Sequence, residues 1–480
     1  MHYEAASRSR RTAGWRAVST DAQGAQRGQL GRLRDVSRDA IRNNPYAARG
    51  QSIIDGAVIG AGIIPNVDAK RESRKAEINA LITAHFDSTD IDADGCGNLY
   101  GLQSLIMKAV VSDGEVLVRR RYRRASDDLS LPFQIQILEA DYLDTSKDGT
   151  LPNGNRAVQG VEFDLRGKRV AYWLFSEHPA STSTFALPVS KRVLARDVIH
   201  VFRRDRPGQV RGVPWLAPVL LTMQDLADYE DAQLMRQKIA ACFAAFIYDP
   251  DNGAGEPSPT GSGGPDDPSV GMQLAPGLIK YLAGGRRVEF ADPPDVGGYV
   301  DHTKANIRKI AIGLGITYES ISGDLKQVNF TSGRMGRLDM DNNVNAWQWL
   351  MMIPQFCQGL ARWTQDAVAL ATGSSEPFEL GWTPQRRALV DPTKEVPAMR
   401  DEIKAGLSSR RQKIRQLGYD PEVVEAEIIA ERAAANDAGL VFDSDAGAAS
   451  SPPRPETPAN VPDIPEDEDT ENMEEENEDA

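Results

Sequence analysis

The chain has 480 residues, 41% apolar and 26% charged, with a formal net charge of −14, which is enough for about two to four domains around sizeable cores. No run of about 18 apolar residues occurs, so no membrane span is expected, and the arginine-bearing start MHYEAASRSRRTAGW has no apolar stretch behind it and does not read as a secretory signal. Cys96, Cys242 and Cys357 are odd in number and far apart, which argues against a disulfide framework or a zinc box and for reduced thiols in a cytosol.

Charge is segregated along the chain. Residues 1–50 hold ten arginines against four carboxylates, a balance of +6, and residues 451–480 hold twelve acidic groups against Arg454. A basic arm with few apolar residues over 8–32 is expected to be extended. Helical spacing then runs from Leu33 to Asn43 and again from Ala47 to Ala57, separated by Pro45, which biases Asn44 away from helical angles. Gly60 to Pro65 leads into a strand or loop, and its glycine pair lacks the third glycine of a dinucleotide fingerprint. Asp90, Asp92, Asp94 and Gly95 imitate a calcium loop, but Gly101 stands where that loop needs a glutamate. An acidic turn ahead of a helix over 102–111 is the better reading.

Strands are expected at 115–118, 133–137, 161–164, 170–174 and 198–202, with Arg166-Gly167-Lys168 as a hairpin turn. The basic run 119–124 offers weak phosphate affinity, or a strand end whose arginines are solvated or paired across a subunit interface. Apolar positions from Leu216 to Ile247 predict a long helix with Pro218 in its first turn. The Gly/Pro/Ser-rich stretch 249–270 reads as a long loop, and 279–282 and 287–290 as a small β unit with a turn at Gly284-Gly285. A helix over 299–316 stops at Gly313 or Gly315, polar residues follow, and helical spacing resumes at Arg334. Pro354 removes a backbone donor, so a kink is expected there. A strand at 378–382, two helices within 397–436 and an acidic, disordered end complete the chain. Arg410, Arg411, Lys413 and Arg415 invite a helix-turn-helix reading, but Glu422, Glu425, Glu427 and Glu431 on the next helix would repel phosphate.

No Walker A sequence, G-x-S-x-G elbow or H-E-x-x-H is present, and the five histidines are isolated from one another. Nothing marks a catalytic residue, a cofactor site or a metal site.

Several motifs, in order, resemble the lambda-like family of tailed-phage portal proteins: Arg42–Ala47 (RNNPYA), Asp113-Gly114-Glu115, Arg206–Trp215 (RPGQVRGVPW), Glu289–Pro294 (EFADPP), Gly313–Ile316 with Tyr318-Glu319 and Ser322-Gly323-Asp324, Asn329–Arg334, and Gly418–Glu422. The resemblance implies an α+β portal fold. Its expected parts are a basic arm (1–32), an α+β wing (33–215), a first stem helix (216–247), a β-containing clip (248–296) and a second stem helix (297–316). A tunnel loop (317–333), a kinked long helix returning to the wing (334–396), a helical crown (397–440) and an acidic tail (441–480) follow. It implies a ring, dodecameric in the family, at one capsid vertex, through which double-stranded viral DNA enters and leaves. The implied partners are the terminase large subunit, major capsid and scaffold proteins, and head-tail connector proteins. Asp324, Lys326, Gln327, Asn329 and Arg334 are the expected channel-facing residues of the tunnel loop. Another ring-forming virion protein, such as a head-tail adaptor, and a metal-dependent DNA-processing enzyme are the alternatives.

Overall fold

The computed structural model describes residues 19–182, 189–241, 245–248, 279–281, 287–290, 298–326, 328–385, 392–417 and 421–440, with isolated positions 10, 13, 14 and 419. Two compact units divide the chain, Met1–Asp420 and Pro421–Ala480. The expected arm before residue 19, the loop 249–270, Cys242 and the acidic end 441–480 lie largely or wholly outside the described residues.

The first unit begins with α1 (Leu30–Asn43) and α2 (Pro45–Val58). Asn44, extended at φ −108° and ψ 119°, separates them and accepts from the amides of Tyr46 and Ala47, so the Asn-Pro pair ends one helix and caps the next. Strand β1 (Ile64–Asp68) and α3 (Glu72–Phe86) follow. The reading above missed α3, although Ile78, Ile82 and Phe86 bury one stripe at a spacing of four. The acidic turn is built around Asp92, whose carboxylate accepts from the amides of Asp94, Cys96 and Gly97. Asn98 then caps α4 (Leu99–Asp113).

Strand β2 (Glu115–Tyr122) is the centre of a three-stranded antiparallel sheet, flanked by β3 (Phe133–Glu139) and β9 (Val198–Phe202). Its alternation splits two cores. Val116 and Val118 face the main helical core, while Leu117 faces a smaller one with Leu138, Val161, Tyr172 and Leu174. Between β3 and β9 in sequence lie β4 (Gly149–Thr150), β5 (Arg156–Val158), β6 (Val161–Phe163), β7 (Arg169–Phe175) and β8 (Ser190–Leu194), a second antiparallel sheet in that order. The expected hairpin is β6–β7, and Asp164 braces its turn by accepting from the amides of Arg166 and Lys168.

The basic run lies within and just after β2, and several of its arginines are paired inside the chain. Arg120 is buried against Asp366, 2.8 Å away, while Arg121 and Arg123 bond the carboxamides of Gln136 and Gln134 on β3. These pairs occupy much of the phosphate-binding capacity the run offered.

Helix α5 (Leu220–Ala241) is shorter at both ends than the apolar spacing predicts, and 245–247, read as helix, belong to strand β10 (Ala245–Tyr248). β10 pairs in parallel with β11 (Ile279–Tyr281) and antiparallel with β12 (Arg287–Phe290). The small β unit is therefore no simple hairpin: β10 stands between the two expected strands. Phe246, Ile247 and Tyr248 are aromatic or β-branched, and such residues favour the pleated surface over helix once a partner strand is available.

After α6 (Tyr299–Leu314), α7 (Tyr318–Ser322) and α8 (Phe330–Trp347), a π-helical segment (Gln348–Cys357) containing Pro354 passes into α9 (Gln358–Thr372). The disturbance expected at Pro354 takes this form, and its neighbour exploits it. Gln355 accepts from the Phe202 amide at 2.9 Å and donates to the Phe202 carbonyl at 3.1 Å, so a side chain closes the open edge of β9. Close by, a Cβ on Gly359 would lie 2.6 Å from Ile199, so only glycine lets the helix approach so closely. Strand β13 (Glu379–Thr383) pairs antiparallel with β1. Helix α10 (Pro392–Lys404) ends before Gly406, at φ +73°, and Ser409 caps α11 (Arg410–Gln416). With α12 (Pro421–Ala438), in the second unit, the region expected to hold two helices holds three among the described residues.

One buried charge pair joins these pieces. Glu115 and Arg211 are both fully buried; Arg211 Nε lies 2.8 Å from Glu115 Oε1, and a terminal guanidinium nitrogen lies 2.6 Å from it. Glu115 Oε2 also accepts from the Gly212 amide, and Arg211 donates to the Gln159 carbonyl, each at 2.9 Å. His200 Nε2 is 2.9 Å from Glu115 and its Nδ1 is 3.2 Å from Arg169. A guanidinium only donates, so Nδ1 accepts and the imidazole is neutral with its proton on Nε2. Burial, aided by Arg169 and Arg211, pushes the His200 pKa down to about 4, while the cation beside it holds Glu115 far below the usual carboxylate range.

Removing one member strands the other in a dry site. Glu115→Gln should cost about 3–5 kcal/mol in denaturant unfolding, whereas the double change Glu115→Leu with Arg211→Met should cost less; a Glu115→Gln chain within about 1 kcal/mol of the parent would contradict this. His85, buried and tilted against Phe133 with centroids 5.2 Å apart, is likewise lowered to about 4 by burial. Both histidines are neutral in the fold and charge more readily in the unfolded chain. Their contribution is therefore fully present above about pH 6.5 and disappears as pH falls toward 4, by about 3 kcal/mol each. His85→Phe should flatten that slope in a pH series of unfolding midpoints; an unchanged slope would remove His85 as its source.

Candidate nucleic-acid interface

The loop singled out by sequence is fastened at several points. Helix α6 ends at Gly315, at φ +71°, whose amide returns to Ala311 and Ile312. Its carbonyl accepts from Asn343 of α8 at 3.0 Å, which ties the helix end to the long helix beside it. The predicted loop then contains one helical turn, α7, because Thr317 caps it by accepting from the Ser320 amide at 3.2 Å. Gly323, at φ +68°, ends that turn.

The structure brings Asp324 and Lys326 together. The Lys326 amide donates to Asp324 Oδ1 at 3.2 Å, and Asp324 Oδ2 lies 3.5 Å from the Tyr318 hydroxyl and 3.7 Å from Lys304 Nζ. That amide, with the charges of Lys304 and Lys326, holds the Asp324 carboxyl below its ordinary value. Asp324 is thus an anchor back to α6, while the Lys326 side chain is exposed. Asn329 is also structural. Its carboxamide oxygen accepts from the Ser332 amide at 2.8 Å, and Ser332 Oγ accepts from the Asn329 amide at 3.2 Å, a reciprocal capping box. Helix α8 starts at Phe330, earlier than Arg334, because of that cap. Arg334 is exposed on its first turns. Gln327 lies outside the described residues, and Pro354 sits in the π-helical segment, well along the same long helix.

Behind the loop is a cavity of about 490 Å3 lined by Ala57, Leu325, Val328, Met340 and Val344, with Arg337 and Asp341. Sequence reasoning overlooked Leu325, which is 67% exposed, and the two residues that position the segment, Thr317 and Lys304. The Thr317–Ser320 spacing was a legible capping signal; Lys304, twenty residues from its partner, left none. Lys326 and Arg334 are the sequence-predicted cations here, and both are exposed.

A model of the family described as "Phage portal protein, lambda family" matches residues 8–348. The chain is 28% identical over 421 residues to a probable portal protein of Halomonas phage phiHAP-1, covering 82% of this chain and 79% of that one. It is 23% identical to the portal protein of Escherichia phage N15, covering 89% and 88%, and 21% identical to portal protein B of Escherichia phage lambda, covering 84% and 83%.

The capping box makes a local prediction. Asn329→Ala should destabilise the start of α8 by about 1 kcal/mol, visible as faster amide exchange over 330–334, while Lys326→Ala should leave those amides unchanged; equal protection in the Asn329 variant would deny the cap its role.

Proposed function

Because the chain belongs to the lambda family of phage portal proteins, we propose that the loop between α6 and α8 is the part of its channel that meets passing DNA. Portal proteins form the ring at one capsid vertex through which DNA is packaged and ejected, and this chain is such a structural, non-catalytic component of the virion. No helix among the described residues is long and apolar enough to cross a membrane.

The observation that carries the proposal is the division of labour at the loop. Asp324 and Asn329 are engaged in holding its shape, and Lys326 is left exposed between them. A conduit must touch DNA without retaining it. Each phosphate neutralised by a cation adds affinity through counterion release, so a densely basic wall would grip, and a sparse one supplies brief contacts. Arg334, one helical stretch on, is the second candidate contact.

The finer assignments belong to the same proposal. Helices α5 and α6 form the stem, packed closely where a Cβ on Gly313 would fall 2.2 Å from Val219, the residue just before α5, and where Tyr229 stacks on Tyr299. Exposed apolar residues on these helices and on the long helix, including Leu221, Ile312, Leu338 and Leu350, are the expected contacts between neighbouring copies in a twelve-membered ring. Residues 248–296 form the clip that receives the terminase large subunit and later the head-tail connector proteins. Major capsid and scaffold proteins meet the outer parts.

Lys326→Ala is the direct test. DNA packaging should slow severalfold and packaged DNA should be retained less well, while negative-stain images still show rings with a central hole. An unchanged packaging rate together with unchanged retention would remove Lys326 from the channel's working surface.

A further inference from the structure

The two helices assigned to the stem carry opposite charge on the faces they turn away from the core. On α5, Leu221, Asp225 and Asp228 follow at intervals of four and three residues and so share one face; all are exposed, Leu221 by 81%. On α6, Arg308 and Lys309 stand four and three residues before Ile312 and share its face; all are exposed, Ile312 by 77%. We propose that in the assembled ring the acidic face of α5 in one copy meets the basic face of α6 in a second copy, with Leu221 against Ile312 beside the charges. The inference rests on the assignment of α5 and α6 to the stem.

The two faces stand at matching heights. Within one chain the helices run antiparallel: a Cβ on Gly313 would lie 2.2 Å from Val219, just before α5, and Tyr229 packs on His302 with ring centroids 4.6 Å apart. Leu221 is therefore level with the turn that ends at Ile312, and Asp225 is level with Asn306, about 3 Å along the helix from Arg308 at about 1.5 Å per residue. A rotation about an axis that runs along the stem preserves these heights. It brings Leu221 of one copy beside Ile312 of the next and puts both carboxylates within reach of the long Arg308 and Lys309 side chains. Toward the other end of the stem Asp231 and Asp301 are both acidic and exposed, which confines the attraction to the half nearest Leu221.

The charges are also uncancelled within the chain. Among the described residues Asp228 accepts from the Gln224 carboxamide, Lys309 donates to that of Asn306 and Arg308 lies over the Tyr318 ring, all neutral partners. One acidic and one basic face on the same subunit also select the kind of junction. Setting α5 on α5, or α6 on α6, in a two-fold contact that ends assembly at a dimer, would bring like charges together. Setting α5 on α6 brings opposite charges together in a head-to-tail contact, the kind that closes into a ring. Each exposed pair contributes little by itself, but a reversal of sign repeats its repulsion at every junction around the ring.

The test uses full-length chains, read by negative-stain images and light-scattering mass. One chain carries Asp225→Lys with Asp228→Lys, which makes both faces basic; a second carries Arg308→Glu with Lys309→Glu, which makes both acidic. Each alone should lose the rings that the parent forms. An equimolar mixture should recover them, the two chains alternating around an even-numbered ring, and so should one chain carrying all four changes. Rings from either reversed chain alone, or recovery in neither the mixture nor the fourfold chain, would overturn the proposal. A chain carrying Leu221→Cys with Ile312→Cys separates the failures, because oxidation should join its copies into a covalent ladder that the parent does not give. That ladder together with rings from both reversed chains would refute the charge pairing and leave the stem assignment standing, whereas rings without the ladder would refute both.

Discussion

The Glu115–Arg211 pair is the interaction on which the rest of the first unit depends. Its carboxylate starts the central strand β2 and its guanidinium sits in the segment that leads to α5. His200 brings in β9, and the Gln159 carbonyl brings in the second sheet. An ion pair this deep contributes little net stability relative to apolar residues of the same shape. Its value is directional: each oxygen and nitrogen has one geometry in which it is satisfied, and an apolar cluster would tolerate several. The two sheets and the departing helix therefore share a single origin.

The other unusual contacts follow from placing a long helix against this frame. Strand β9 is an edge of its sheet, and an open edge exposes unpaired amides and carbonyls. Gln355 answers both groups of Phe202 with one carboxamide, from a π-helical stretch whose backbone is already altered by Pro354. Gln103 does the same for Ile63, accepting from its amide at 2.7 Å and donating to its carbonyl at 3.0 Å. Gln348 donates to the Val58 carbonyl at 2.7 Å. At Phe202 and Ile63 a glutamine carboxamide thus stands in for a neighbouring strand, and at Val58 one partners a helix-end carbonyl.

Much of this was legible in sequence, and the limits have physical causes. Local signals served well: Asn44-Pro45 separates two helices, Gly315 ends α6, and strict alternation marks β3. Failures came where distant partners decide. β10 is strand because β11 and β12 flank it, and residues of suitable helical spacing gave no sign of that. Glu115 and Arg211 lie 96 residues apart, so neither motif discloses the other. At the candidate interface the polar loop was found, yet composition did not separate Asp324 and Asn329, which hold the loop, from Lys326, whose side chain is exposed. That distinction rests on which atoms already have partners.

The two glycines beside the buried pair bear on ring closure. A Cβ on Gly114 would lie 2.2 Å from the Val213 carbonyl carbon, and one on Gly212 would lie 2.1 Å from the Gly114 oxygen. Main chain therefore rests on main chain where the segment toward α5 leaves the sheets. Such a joint leaves little to repack beyond the Glu115 side chain, which itself bonds the Gly212 amide, so its angle resists change. In a closed ring each subunit passes its angular error to the next, and the errors add around the circle. A joint of touching backbone locked by one buried carboxylate would keep the wedge angle of each subunit from drifting as the surrounding sequence changes.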